Sequence, residues 1–172
     1  MSAPALSVRG LLHRFPDGSM LDLRRFSLEV GAGERVAFLG GNASGKSTVI
    51  HAAVGLATPE EGEVRVFGTD PSRDWPSVRG RVGVVMQHVD DQLLGLTALD
   101  DVELGLRARE PDRERRRERA RAALRRLGAE ALADRVPHAL SGGEKRRVAV
   151  AGAVAHEPDL LVLDEVFAAL DL

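Results

Sequence analysis

Apolar and polar positions change rhythm several times along this chain, and the changes mark out short strands and helices. Leu6-Ser7-Val8-Arg9 alternates as a first strand. Pro16-Asp17-Gly18 then sets a tight turn. In the second half of residues 21–30, Phe26, Leu28 and Val30 fall on one face and Ser27 and Glu29 on the other, the pattern of a half-buried strand. Arg35-Val36-Ala37-Phe38-Leu39 is a short apolar run and predicts a buried strand. Residues 47–55 predict a helix stopped by Gly55. After a turn at Thr58-Pro59-Glu60-Glu61-Gly62, alternation resumes in Glu63-Val64-Arg65-Val66-Phe67-Gly68. Residues 70–76 are polar and contain Pro71 and Pro76, hence a loop. Arg81-Val82-Gly83-Val84-Val85-Met86 predicts a further buried strand, closed by Gln87.

From His88 the character becomes helical. Thr97-Ala98-Leu99-Asp100 fits a capping box, with a helix through about Leu106. Pro111 opens a second helix running to Leu127. Its charged stretch, residues 113–119, mixes Glu with Arg and predicts a solvated face with i,i+4 pairs. The acids offset the positive field that nucleic acid requires, so no direct nucleic-acid contact is expected. Leu140-Ser141-Gly142-Gly143-Glu144 opens a third helix, again with capping-box chemistry, carrying Val148, Val150, Ala151 and Val154. Beyond Pro158, Leu160-Leu161-Val162-Leu163 predicts a buried, parallel-type strand that ends in Asp164 and Glu165. Strands mixed with helices, with polar groups at strand carboxyl ends, indicate an α/β sheet with its site along that edge.

Composition narrows this modestly. The 172 residues suit one domain, with room for an inserted lobe. A formal charge of −2 points to no polyanionic partner. Absence of cysteine excludes disulfides and thiol chemistry. No basic-then-apolar leader opens the chain, and no stretch matches the ~20 apolar residues of a membrane span, so a cytoplasmic chain is expected. The only lysines are Lys46 and Lys145.

The chemistry concentrates in one loop. Gly40-Gly41-Asn42-Ala43-Ser44-Gly45-Lys46-Ser47, followed by Thr48, fits G-x-x-x-x-G-K-[ST] between an expected strand and an expected helix. Successive N–H groups curl around a phosphate there, and the helix adds its positive dipole end. Lys46 would reach the β- and γ-phosphates, and the Ser47 hydroxyl would ligate Mg²⁺. Two other places carry weaker signals. Asp164 and Glu165 suit a Mg²⁺ contact and a general base, although taken alone an acid pair after an apolar strand reads first as an ordinary solvated end. Ser141-Gly142-Gly143 would expose free N–H groups to an anion, although taken alone it reads first as a plain helix cap.

Taken together, these pieces resemble the nucleotide-binding subunit of an ABC (ATP-binding cassette) transporter. Residues 40–48 resemble Walker A, Leu140-Ser141-Gly142-Gly143-Glu144 the family signature, Leu160-Leu161-Val162-Leu163-Asp164-Glu165 Walker B, and Ala168-Ala169-Leu170-Asp171 the D-loop. Gln87 matches the Q-loop glutamine, and Phe15 the aromatic that stacks on adenine. The resemblance implies an α/β P-loop NTPase fold with a RecA-like core, an antiparallel β subdomain and an inserted helical lobe. That places the core at about 1–88 and 141–172 and the lobe at about 89–140, within a single domain spanning 1–172. It also implies roles. Gly40, Gly41, Asn42, Ala43, Ser44, Gly45, Lys46, Ser47 and Thr48 would bind ATP; Ser47, Gln87 and Asp164 would hold Mg²⁺; Glu165, with Gln87, would activate water. Ser141, Gly142 and Gly143 would clamp the γ-phosphate of the nucleotide on a second ATPase domain, identical or related, that closes head to tail. Transmembrane subunits would receive that closure through the region beside Gln87, which would keep the chain peripheral on the inner face of the membrane.

Met86-Gln87-His88-Val89-Asp90-Asp91-Gln92-Leu93-Leu94, Asp101-Val102-Glu103-Leu104-Gly105, Phe15-Pro16-Asp17-Gly18 and the run from Leu140 through Glu144-Lys145-Arg146-Arg147 are similar to the energy-coupling-factor and cobalt/nickel group, which takes up a metal ion or a vitamin. Three departures stand out. Ala43 replaces a usual glycine, which is tolerable if its φ is negative. Val166-Phe167 replaces Pro-Thr. The family continues past this chain's last residue through a strand and a switch histidine; His13, His51, His88, His138 and His156 all precede Walker B. The expectation is therefore a domain truncated after the D-loop, with weak turnover. A non-hydrolytic nucleotide-binding module and a soluble ABC ATPase acting on the ribosome or DNA remain as alternatives.

Overall fold

The computed structural model describes residues 3–166; the D-loop tetrapeptide and Phe167 lie outside them. The chain forms two compact units, Met1–Arg79 and Gly80–Leu172.

The first unit is built on an antiparallel sheet in the order β2-β1-β3, formed by β1 (Leu6–Arg14), β2 (Met20–Val30) and β3 (Glu61–Val66). Leu6 pairs with Val30 on one side and Val66 on the other, and Val8 with Leu28 and Val64. This register puts the branched and aliphatic side chains on one face. Arg9–Glu29 and Arg65–Glu63 ion pairs occupy the other face. β1 continues five residues further than its alternating start, because a bulge at Gly10 (φ 60°) shifts the register between Arg9 and Leu11 and turns Leu11 inward. The helix α1 (Lys46–Ala53) packs on β1 and β3 through Val49, Ile50, Ala52 and Ala53, and Gly55 (φ 74°) follows its end.

Residues 35–39 do not form the buried strand that their composition predicts. They are irregular, with Val36 at 42% and Leu39 at 92% exposure. A strand is stable only when a neighbour completes its hydrogen-bond ladder, and among the described residues none pairs with this segment. Phe38 lies 6.3 Å from Phe26 of β2 between ring centres. In the 70–76 loop, Asp74 caps a single turn, α2 (Trp75–Val78), through the Ser77 N–H.

The second unit contains the parallel pair β4 (Val82–Val85) and β5 (Leu160–Leu163), with Val82 opposite Leu160 and Val85 opposite Leu163. β4 is largely buried, but β5 is only half-buried and Leu161 is exposed, because only one described strand flanks it. α5 (Gly142–Ala155) uses two faces. Val148, Ala151 and Ala155 join a core with Leu99, Val102 and Leu106 of α3 (Ala98–Leu106) and Ala120, Ala123 and Leu124 of α4 (Arg113–Arg126). Ala149 and Ala153 pack with Val85, Val89 and Val166. Small side chains permit this double contact, and Gly83 takes it to the limit: a Cβ there would lie 2.4 Å from the Ala153 carbonyl oxygen.

The charged stretch of α4 is not simply a solvated face. Its helix starts after the N-cap Asp112, and its arginines turn toward neighbours instead of pairing within the turn. Arg117 Nη1 lies 3.0 Å from Oε1 of the buried Glu103 on α3, and Arg116 Nε lies 3.7 Å from Oε2 of the same carboxylate. A carboxylate buried in a helical core needs such partners, and this need overrides the i,i+4 arrangement. Arg119 reaches the Ala155 carbonyl.

Candidate functional site

Candidate residues occur in both units. In the first, the loop from Gly40 to Gly45 is largely exposed and ends in the N-cap of α1. Gly45 adopts φ 94°, and a Cβ on it would lie 2.7 Å from Leu21 Cδ2, so both backbone and packing require glycine. α1 has no side-chain cap. Its first N–H groups are therefore available to an external acceptor, next to the positive end of the dipole. Lys46 Nζ donates to the carbonyls of Gly40 and Gly41, each at 2.9 Å. These bonds arch the ammonium over its own loop and use two of its three donors. Ser47 and Thr48 follow in the first turn.

Ala43 does not meet the condition under which its methyl would be free of strain. Its φ is +59°, in the left-handed region, and not negative. The loop imposes the glycine conformation on alanine, which costs about 1–2 kcal/mol. Phe15, expected to stack on a base, is half-buried just beyond β1 and meets His13 edge-on at 4.9 Å.

In the second unit, β4 and β5 run parallel and deliver their carboxyl ends side by side. Asp164 is buried at 3% exposure, and its N–H donates to the Val85 carbonyl, extending the ladder by one step. Glu165 then turns out with φ +51°. Gln87 Nε2 donates to Glu165 Oε2 at 2.6 Å, so two residues 78 positions apart meet at this edge. A left-handed non-glycine residue costs of order 1–3 kcal/mol and concentrates at functional sites. In this second unit Asp164 and Gln87 offer oxygen donors, and in the first Ser47 offers its hydroxyl. The described residues contain no cluster of three His, Cys, Asp or Glu. Oxygen donors of this kind suit Mg²⁺, which takes few protein groups and completes its shell with phosphate and water.

The third group is the amino end of α5. Ser141 Oγ accepts from the Glu144 N–H at 3.3 Å, and Glu144 Oε2 accepts from the Ser141 N–H at 2.7 Å, so the expected capping box forms. These Ser141 contacts hold the Glu144 carboxyl below the usual glutamate range, with smaller help from Arg135 and Arg147. Gly142 is exposed and Gly143 half-buried, and a Cβ on either would meet nothing within 4 Å. Among the described residues nothing requires glycine at these helical positions, where it costs about 0.5–1 kcal/mol relative to alanine.

Several contacts around these groups were not foreseen. Lys145, in the first turn of α5, pairs with Asp90 three residues past Gln87. Arg147 donates to the Gly128 carbonyl. Asp101 accepts from the N–H groups of Leu94 (2.7 Å) and Gly95 (2.9 Å), while burial pushes its carboxyl up. It fixes a loop on which Leu94 and Leu96 stand 78% and 83% exposed. The doubled acid Asp100-Asp101 was the available signal: the first closes the capping box, and the second reaches back into the loop.

Comparison with known proteins agrees with the resemblance. The ABC transporter family profile matches residues 23–168. A putative ABC transporter ATP-binding protein of Methanopyrus kandleri is 52% identical, over 94% of this chain and 60% of that protein. The energy-coupling factor transporter ATP-binding protein EcfA1 of Geobacillus kaustophilus is 40% identical, over 99% of this chain and 62% of that protein. The cobalt import ATP-binding protein CbiO of Rhodobacter capsulatus is 42% identical, over 98% and 61%. The chain thus spans about three fifths of the length of these curated relatives. Among solved structures, cbiO1 of Clostridium perfringens, described as part of the transporter complex cbiONQ, superposes with a TM-score of 0.81 at 35% identity, over 98% of this chain and 68% of that one. The cassette MJ0796, described as dimeric, gives 0.86 at 31% identity, over 96% and 76%. The fold is therefore that of an α/β P-loop NTPase cassette with an antiparallel β sheet.

Proposed function

This chain belongs to the ABC transporter family, and we propose that it serves there as the ATP-binding and hydrolysing subunit of an importer for a metal ion such as cobalt or nickel, or for a vitamin. The observation that carries the hydrolytic part is the Gln87–Glu165 contact beside buried Asp164. The loop around Lys46 takes the phosphates, with Phe15 against the base. Ser47, Asp164 and Gln87 would hold Mg²⁺, which would neutralise charge on the β- and γ-phosphates. Glu165 offers the oxygen not engaged by Gln87 to a water, takes its proton as the water attacks the γ-phosphorus, and ADP leaves. Gly142 and Gly143 of α5 receive the γ-phosphate held by a second ATPase domain closing head to tail, a contact for which their open faces are suited.

Transmembrane partners follow from the same reading. No described helix is long and apolar enough to cross a membrane. Leu94 and Leu96, on a loop held by Asp101 a few residues past Gln87 and within the lobe of residues 89–140, supply an apolar contact for a membrane subunit. That contact would hold the chain peripherally on the inner face of the membrane. The kinship with EcfA1 and CbiO supports the substrate class.

The direct test compares Glu165→Gln with the parent protein. Loss of a general base predicts a fall in ATP turnover of about 10²- to 10⁴-fold. Nucleotide binding, measured separately by calorimetry, should persist. Equal turnover in the two proteins would remove Glu165 from the reaction.

A further inference from the structure

We propose that Arg135 is a positioning residue that neutralises Glu144, keeping the amino end of α5 fit to receive a phosphate; this rests on the signature role given to that helix end above. The capping box needs an acceptor at position 144, and a neutral glutamine supplies one as well as a glutamate does. The negative charge of Glu144 is therefore surplus to the cap. It also lies one turn from Ser141, Gly142 and Gly143, where it opposes an incoming polyanion.

Arg135 answers that charge directly. Its Nη1 lies 3.0 Å from Glu144 Oε1, while the other carboxylate oxygen serves Ser141. Nη2 donates to the Ala139 carbonyl at 2.7 Å, within the segment that leads into Ser141. One planar guanidinium thus spans the approach to the helix and its first turn, a geometry that lysine cannot reproduce. The backbone of Arg135 is itself fixed: its carbonyl accepts from the Ala98 N–H at the start of α3, and its N–H donates to Leu132. Asp90 already claims Lys145, and the Gly128 carbonyl engages Arg147. Among the described residues, Arg135 is the only cation whose head lies within salt-bridge distance of Glu144.

The experiment uses the protein in a Glu165→Gln background, which holds the ATP-bound state, and reads ATP-driven self-association by light scattering. Arg135→Ala should raise the ATP concentration for half-maximal association roughly tenfold, the order expected for an unscreened charge at a helix end in a two-site assembly. Added salt should narrow the gap. Arg135→Ala with Glu144→Gln should return to within about twofold of the parent, since the cap survives and the charge is gone. ADP affinity, which reports on the phosphate loop alone, should be unchanged throughout. Association of Arg135→Ala at parental ATP concentrations overturns the proposal. So does a defect that Glu144→Gln leaves unrepaired, which would make Arg135 a structural clamp only. If the parent itself does not associate with ATP, the signature reading fails and this inference falls with it.

Discussion

The amino ends of α1 and α5 are made of similar material, small residues followed by a helix, yet they are finished differently. α1 begins at a left-handed glycine with no side-chain cap, and Lys46 folds over its own loop carbonyls. α5 begins with a complete capping box, clamped by Arg135. The first has no side chain on its orphan donors; the second closes those of Ser141 and Glu144 within the chain and leaves Gly142 and Gly143 between them. A site that must form around a phosphate gains from unpaired donors. A surface that meets a nucleotide held elsewhere must be in shape before that nucleotide arrives. The open faces of Gly142 and Gly143 fit the second case, because no neighbour among the described residues explains them.

The largest expected separation comes from removing the cation of the first helix end. Lys46→Ala loses charge-assisted hydrogen bonds to phosphate worth about 1.5–3 kcal/mol, hence roughly 10- to 150-fold in nucleotide affinity by calorimetry. Thermal stability should change little, since Nζ bonds only to exposed loop carbonyls. Retained affinity would mean that the backbone of the loop does the binding unaided.

The converse change is smaller and should act on stability. Ser141→Ala removes the cap of α5, at about 1 kcal/mol, and should lower Tm by several degrees. ADP affinity should not move, because the loop around Lys46 is untouched. A variant with unchanged Tm would show that the box closes only weakly in solution, and the contrast between the two helix ends would lose its basis.

How far the sequence foretold this arrangement depended on whether a signal is local. Both capping boxes, the limits of α3 and the alternation in β2 are set within a few residues, and they appear where the pattern places them. The segment 35–39 has the composition of a buried strand and no described ladder partner, and composition cannot supply one. The arginines of α4 misled for a related reason. Their partner Glu103 lies on another helix, and in sequence it is one more acid on a charged stretch. At the candidate site the residue types were legible, since loop and strand-end chemistry is encoded in short motifs. The contacts Gln87–Glu165, Lys145–Asp90 and Arg135–Glu144 depend on tertiary placement, and no spacing rule yields them.

The smallest effect is expected inside the open loop itself, at Ala43. With φ at +59°, alanine carries about 1–2 kcal/mol of strain that glycine would not. Glycine in turn loosens the unfolded chain by about 0.4–1 kcal/mol. The difference favours Ala43→Gly by less than about 2 kcal/mol, and the expected reading is a rise in Tm of a few degrees at most. Ligand titration then sharpens the comparison with α5. If the loop holds the same left-handed turn with and without nucleotide, the strain is common to both states and ADP affinity stays constant while Tm rises. If the turn tightens only on binding, alanine resists that step, and glycine should raise affinity with little change in the Tm of the ligand-free protein. A variant that lowers both quantities would place Ala43 at negative φ in solution and would remove the strain from the loop altogether.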